Sequence, residues 1–194
     1  MYIRNITAPV LALALIGSSF NALALEVDSS QSKVNVVSTK VLADGTASVA
    51  EIFTFDSLEG SVGEDGTASV TIDLAAIKTG IDIRNERMGE YLFETDRYPE
   101  ATITAQIPDA ALSTGSQTLD LELNVDMHGK QMMYTVPVMV ASDESSVMVT
   151  SEEPLLVDAA SFDLQGGLGK LGELAGLLHI PATVPVTFSL TFNR

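Results

Sequence analysis

Residues 79–103, TGIDIRNERMGEYLFETDRYPEATI, interrupt a chain that otherwise alternates between apolar and polar residues. Seven charged side chains lie between Asp82 and Asp96, where the alternation stops. The stretch predicts a short helix over residues 82–93, with Asp82 as its cap and a partly apolar side formed by Ile83, Met88, Tyr91 and Leu92. The Tyr98-Pro99 step then returns the chain to a strand.

Outside this stretch the dominant period is two, as expected for strands whose successive side chains point to opposite faces. The clearest segments are 119–128 and 184–192, in which every second residue is apolar. Further candidate strands are residues 70–74, 103–107 and 134–140, and weaker ones are Val34–Ser38, Ala50–Leu58 and Val147–Thr150. Turn signals at Asp44-Gly45, Asp65-Gly66 and His128-Gly129 separate them. The pattern predicts an all-β protein of about eight antiparallel strands.

Two architectures fit this pattern. Eight amphipathic strands can curl into a barrel, which removes exposed edges and leaves room for one small ligand. A sandwich of two sheets explains the same periodicity. A second break, Gly166–Leu178, predicts a short amphipathic helix, because apolar residues recur at i, i+3, i+4 and i+7 at Leu171, Leu174, Ala175 and Leu178.

The first 24 residues predict a secretory signal peptide. Arg4 precedes an apolar run over Ala8–Ile16, and Ala22-Leu23-Ala24 has the form of a cleavage site. The apolar run is shorter than the roughly 20 residues that span a bilayer. Cleavage near Ala24 would leave residues 25–194 as a single exported domain, so we expect a periplasmic protein without stable membrane insertion.

Composition excludes several functions. The formal charge is −16, and it becomes −17 without Arg4, so the surface repels nucleic acid and we expect no nucleic-acid partner. The chain has no cysteine and only two histidines, His128 and His179, so it offers no thiol nucleophile or thiolate metal site. We expect His128 to be a solvated turn residue and His179 to cap the second helix. The sequence thus predicts no metal, no cofactor and no catalytic residue, although a hydrolase that uses His128 is an alternative.

Three of the basic residues, Arg84, Arg87 and Arg97, lie within fourteen positions. They could bind a phosphate head group at the mouth of a cavity. They could also pair with acidic residues three or four positions away, and this second interpretation is favoured because such pairs are available on a helix.

The order and spacing of several motifs resemble the YceI-like family. These motifs are Ile77-Lys78-Thr79-Gly80, Arg84-Asn85-Glu86-Arg87-Met88, Leu92-Phe93, Tyr98-Pro99, and the hairpin from Leu121-Glu122-Leu123 to His128-Gly129-Lys130. The resemblance covers essentially the whole chain after the signal peptide. It implies an extended, eight-stranded antiparallel lipocalin-like barrel with two short helices, enclosing a long apolar tunnel.

The resemblance also implies a function, namely non-enzymatic binding or transport of a polyisoprenoid or other long-chain lipid, with a homodimer as in relatives. A separate hypothesis is that the two helices gate the tunnel mouth. A partner-binding or stress-response protein whose barrel is filled by its own side chains is the other alternative. The residues expected to contact the ligand come from the inward faces of the strands: Phe53, Phe55, Ile72, Leu74, Leu121, Leu123, Val125, Met127, Val136, Val138, Phe188 and Leu190.

Overall fold

A computed structural model describes residues 25–55 and 57–194. The predicted signal peptide lies outside these residues. The strands are β1 (Leu25–Val27), β2 (Lys33–Leu42), β3 (Ser48–Phe55), β4 (Leu58–Val62), β5 (Thr67–Asp73), β6 (Ile77–Lys78), β7 (Glu100–Gln106), β8 (Gly115–Met127), β9 (Lys130–Ser142), β10 (Ser146–Ser151), β11 (Leu155–Asp158), β12 (Leu177–His179) and β13 (Thr183–Asn193). The α-helices are α1 (Asp82–Arg87), α2 (Asp109–Leu112) and α3 (Gln165–Leu174).

Eight of the strands close a ring by antiparallel pairing. Their order is β1, β4, β5, β7, β8, β9, β10 and β13, and β13 pairs back onto β1 through Val27↔Phe192 and Glu26↔Asn193. The ring confirms the predicted barrel and excludes the two-sheet alternative.

Strand β13 pairs with more strands than any other strand of the ring does. Besides β1 and β10, it pairs with β2 through Val186↔Val36 and with β11 through Val184↔Val157. The β2–β3 hairpin therefore extends the barrel wall beyond the ring, and its turn at Asp44-Gly45 lies past the last residue of β2 that pairs with β13.

The hairpin between β8 and β9 shows how a turn fixes the register. His128 and Gly129 both have positive φ, at 53° and 72°. Two consecutive residues with positive φ form the type I′ geometry that matches the twist of the flanking strands. The strands pair without a break from Met127↔Lys130 to Gly115↔Ser142, as the alternation over residues 119–128 and 134–140 predicts.

Three details of the predicted elements are wrong. The 82–93 segment begins as α1, whose N-cap is Ile81 rather than Asp82, and it continues as a π-helical segment over Met88–Phe93. The glycine-rich helix ends at Leu174, because Gly176 turns the chain with φ 61° and Leu177–His179 form a strand. Ala50–Leu58 is not one strand, since β3 ends at Phe55 and β4 begins at Leu58.

The core is divided into two clusters of buried side chains. One includes Leu121, Val136, Val140 and Phe192 and is formed by side chains from strands around the ring. The other joins β2, β3 and β5 to the helical segments through Phe55, Leu92 and Phe162. No helix in the described part of the chain is long and apolar enough to cross a membrane.

Candidate ligand-binding cavity

A cavity of about 650 Å³ lies inside the barrel. This volume is within the usual range of small-molecule sites, about 300–1,000 Å³. All but five of the 44 described residues that line it are apolar. The inward residues of β13 form one wall, with Val184, Val186, Phe188, Leu190 and Phe192 along its length. Phe188 is half-buried rather than buried, because it borders an open space.

The cavity has a closed end and a mouth. At the closed end, Ile107, Val149 and Phe192 line the cavity and are themselves buried. At the other end, Ile81 and Ile83 line the cavity with about half of their surface exposed, 47% and 51%. We therefore place the mouth between the β2–β3 hairpin, α1 and the end of α3.

The helical segments form part of the cavity wall. The π-helical segment contributes Met88, Leu92 and Phe93 to the lining. The α3 region contributes Leu164, Leu168, Leu171 and Ala175, which follow a spacing of three to four residues. This set differs from the predicted apolar stripe, because Leu174 and Leu178 are exposed and do not line the cavity. The helices thus present one apolar face to the interior of the barrel.

Ten of the twelve residues expected to contact a ligand line the cavity: Phe53, Phe55, Ile72, Leu74, Leu121, Leu123, Val125, Met127, Phe188 and Leu190. Val136 and Val138 on β9 do not, although both are buried. Their side chains pack within the core cluster that also contains Val140 and Phe192. For all twelve, contact with a ligand stays a prediction.

A hydrogen-bonded turn positions α1 at the mouth. The amide side chain of Asn85 accepts hydrogen bonds from the backbone nitrogen and the hydroxyl of Thr79, at 3.1 Å and 2.6 Å. Between these residues, Gly80 adopts φ 78°, which a side chain would oppose. This turn fixes the first part of the 79–103 stretch and directs Arg84 toward β3.

The charged residues of the lining form a network at the mouth. The Glu51 carboxylate accepts a hydrogen bond from Lys40 Nζ at 2.8 Å and from Arg84 Nη1 at 2.9 Å. The Arg84 guanidinium also donates to the Thr79 carbonyl and lies over the Phe53 ring, 4.7 Å from its centroid. The hydrogen bond from Lys40, with the contribution of Arg84, lowers the pKa of Glu51.

Replacing Glu51 with glutamine is expected to lower the free energy of unfolding by about 1–2 kcal/mol. Lys40 and Arg84 would then lose the carboxylate that separates their charges. Since the pKa of Glu51 is lower in the folded state, its contribution is present above the pKa of the unfolded carboxyl and is lost as the pH falls through the folded value. Urea unfolding of wild type and variant at neutral and acidic pH measures this difference.

Glu59→Gln is the control for Glu51→Gln, because Glu59 is an exposed residue of β4 that does not line the cavity. We expect Glu59→Gln to change the free energy of unfolding very little. If the difference in unfolding free energy between wild type and Glu51→Gln stays the same at acidic pH, the ionised carboxylate is not the source of this stability.

The prediction that His128 is a solvated turn residue is wrong. Its side chain is only 10% exposed, and its ring lies 4.3 Å from the Tyr98 ring, centroid to centroid. Its Nδ1–H donates to the Phe162 carbonyl at 3.0 Å, and Nε2 lies 3.7 Å from the Glu94 carboxylate. His128 thus connects the β8–β9 hairpin to the segment before α3. It does not line the cavity.

His128→Ala is expected to destabilise the protein by about 1–3 kcal/mol, because the Phe162 carbonyl loses its donor. Lipid binding is expected to persist in the folded variant. His128→Asn is the matched variant, since asparagine tolerates positive φ and so separates loss of the ring from backbone strain. Denaturant unfolding and a lipid-binding titration measure the two effects, and loss of binding in a fully folded variant would contradict the structural role.

His179 does not cap α3. It lies in β12, paired with Val41 of β2, and is exposed. No group of His, Asp and Glu residues that could hold a metal ion occurs within residues 25–55 and 57–194.

Sequence reasoning missed part of the lining that the same period of two could have identified. Extending the inward face of β3 from Phe55 and Phe53 reaches Glu51, and extending that of β2 from Val34 reaches Ser38 and Lys40. The lining contributed by α3 had a weaker signal, because five glycines obscure its apolar face.

A closed antiparallel barrel around one apolar cavity, covered by short helices, defines the lipocalin-like class of β-barrel. A model of the YceI-like domain matches residues 25–192. The chain therefore belongs to the YceI-like family, which confirms the family expected from the 79–103 stretch. No curated protein matches the chain.

Solved structures share the fold. A polyisoprenoid binding domain from Saccharophagus degradans is 37% identical, with a TM-score of 0.82 over 89% of this chain and 99% of that domain. BcnA from Burkholderia cenocepacia is 23% identical, with a TM-score of 0.65 over 85% of this chain and 98% of that one. A YceI protein from Campylobacter jejuni is 11% identical, with a TM-score of 0.53 over 73% of this chain and 84% of that one. The last two similarities support the fold alone.

Proposed function

We propose that this protein binds a long apolar lipid of the polyisoprenoid type in the barrel cavity and performs no covalent chemistry on it. The observation that carries the proposal is the apolar lining of a 650 Å³ cavity with a mouth. Each methylene that leaves water for such a cavity contributes about 0.8 kcal/mol. A long hydrocarbon can therefore be held without directional contacts, and ten of the predicted contact residues are available to it.

The 37% identity to a polyisoprenoid binding domain supports this class of ligand over an unrelated apolar molecule. The cavity argues against a barrel filled by its own side chains. The position of His128 argues against a hydrolase that uses it, because its ring is held between Tyr98 and the Phe162 carbonyl, away from the lining.

We further propose that the protein is exported to the periplasm after cleavage near Ala24 and carries or stores its lipid there. The signal-like pattern of the first 24 residues supports this location. A homodimer is also a proposal, and light scattering of the purified protein tests it.

Native mass spectrometry of protein purified from the periplasm tests the binding function. The expected result is a complex whose added mass corresponds to an isoprenoid or another long apolar molecule, recovered by solvent extraction. The N-terminus of the purified protein, read from the same spectrum, tests cleavage near Ala24. Protein that carries no lipid and takes up no added polyprenol would overturn the proposed function.

A further inference from the structure

The charges that line the cavity have the opposite sign to the protein as a whole. The chain carries 26 acidic and 10 basic residues. Among the described residues, the charged members of the lining are Lys40, Arg84, Arg87 and Glu51. Three positive charges and one negative charge give this site a formal charge of +2, in a protein of formal charge −16.

These residues all lie at the mouth. On the inner face of the β2–β3 hairpin, the pair Val36↔Phe53 is followed by Ser38↔Glu51 and then by Lys40. The polar residues thus interrupt the apolar face of this hairpin, which resumes at Leu42. Arg84 and Arg87 are one turn apart on α1, and both are half-buried. A ligand whose tail occupies the cavity would have its end group beside them.

The network at the mouth leaves positive charge without a counterion. Glu51 is shared by Lys40 and Arg84. Arg87 forms no ion pair with any residue in the part of the chain that the structure describes. The Nε of Arg84 is buried and has no hydrogen-bond partner there. A half-buried cation beside apolar surface is disfavoured unless an anion accompanies it.

We propose that the mouth binds an anionic head group of the phosphate type, carried by the lipid whose tail fills the cavity. Arg87 would make the main contact, since guanidinium groups pair with phosphate oxygens through parallel hydrogen bonds. Lys40 would add a second positive charge from β2. Ile81 and Ile83 would cover the first carbons of the tail. This inference rests on the proposed function and specifies its ligand.

The test compares three probes on delipidated protein by isothermal titration: geranylgeranyl monophosphate, geranylgeraniol and inorganic phosphate. We expect the lipid phosphate to bind at least about tenfold more tightly than the alcohol, from one or two charge-assisted hydrogen bonds. Added salt should reduce this preference by screening. Arg87→Gln should remove most of this difference between the two dissociation constants.

Arg97→Gln is the matched control, because Arg97 lies over the Tyr98 ring and outside the cavity lining. Arg97→Gln should keep the wild-type ratio of the dissociation constants for the lipid phosphate and the alcohol. Equal affinities of wild type for the phosphate and the alcohol would overturn the head-group site and leave lipid binding intact. Inorganic phosphate that binds as tightly as the lipid phosphate would overturn it in favour of a free anion site. If neither lipid binds, the proposed function fails, and the head-group inference fails with it.

Discussion

Ala105→Trp is expected to weaken lipid binding strongly while the barrel stays folded. Ala105 lies on β7, lines the cavity and is half-buried, so a larger side chain there would enter open space rather than the packed core. An indole that displaces about three methylenes of the ligand would weaken binding by about 50-fold. Titration with geranylgeraniol and native mass spectrometry of the purified variant measure the loss.

Thr104→Trp is the control for Ala105→Trp. Thr104 is the preceding residue of the same strand, so its side chain points to the opposite face, and it does not line the cavity. It should bind lipid as wild type does. A folded Ala105→Trp protein that still carries a full complement of lipid would show that the tail does not occupy this cavity.

Gly167→Ala is expected to lower the free energy of unfolding by about 1–3 kcal/mol and to speed lipid release. A Cβ atom at Gly167 would collide with the Tyr91 carbonyl oxygen and would lie 2.7 Å from the Leu92 Cα. Both are backbone contacts of the π-helical segment, so the two helical segments must separate. Their separation would disturb Leu92 and Leu168, which both line the cavity.

Gly169→Ala provides the matched comparison within the same helix. A Cβ atom there meets nothing within 4 Å, so alanine should stabilise α3 by about 0.5–1 kcal/mol through its higher helix propensity. Urea unfolding and the lipid dissociation rate are measured for both variants. Equal effects of the two substitutions would mean that the close approach at Gly167 does not hold the helices together.

The sequence allowed most of the barrel to be predicted, because strands with one apolar face carry a strong signal. The alternation of β8 and β13 predicted which residues face inward, and all five inward residues of β13 line the cavity. The short strands β1, β6, β11 and β12 have four residues or fewer, which is too short for a period of two to be distinguished. Ring closure depends on pairing between β1 and β13, which no local pattern encodes.

The site could be predicted only in part. The alternation of apolar and polar residues predicts which side chains of a strand point into the barrel. Whether such a side chain borders the cavity also depends on which other side chains pack against it. Leu121 on β8 lines the cavity, whereas Val136, its partner on β9 in the same core cluster, does not. The burial of His128 likewise depends on Tyr98 and Phe162, which are distant in sequence. The charged mouth depends on a contact between Glu51 and Arg84, 33 positions apart.

The pairings of β13 also determine when the barrel can form. This strand is the partner of β1, β2, β10 and β11, and its Thr191 nitrogen donates to the Ser32 hydroxyl across 159 positions. Contacts so distant in sequence slow folding, because the chain must close a long loop before they form. Until residues 183–193 are made, the ring has no closing strand. The apolar faces of the earlier strands then stay accessible to chaperones, and also to aggregation.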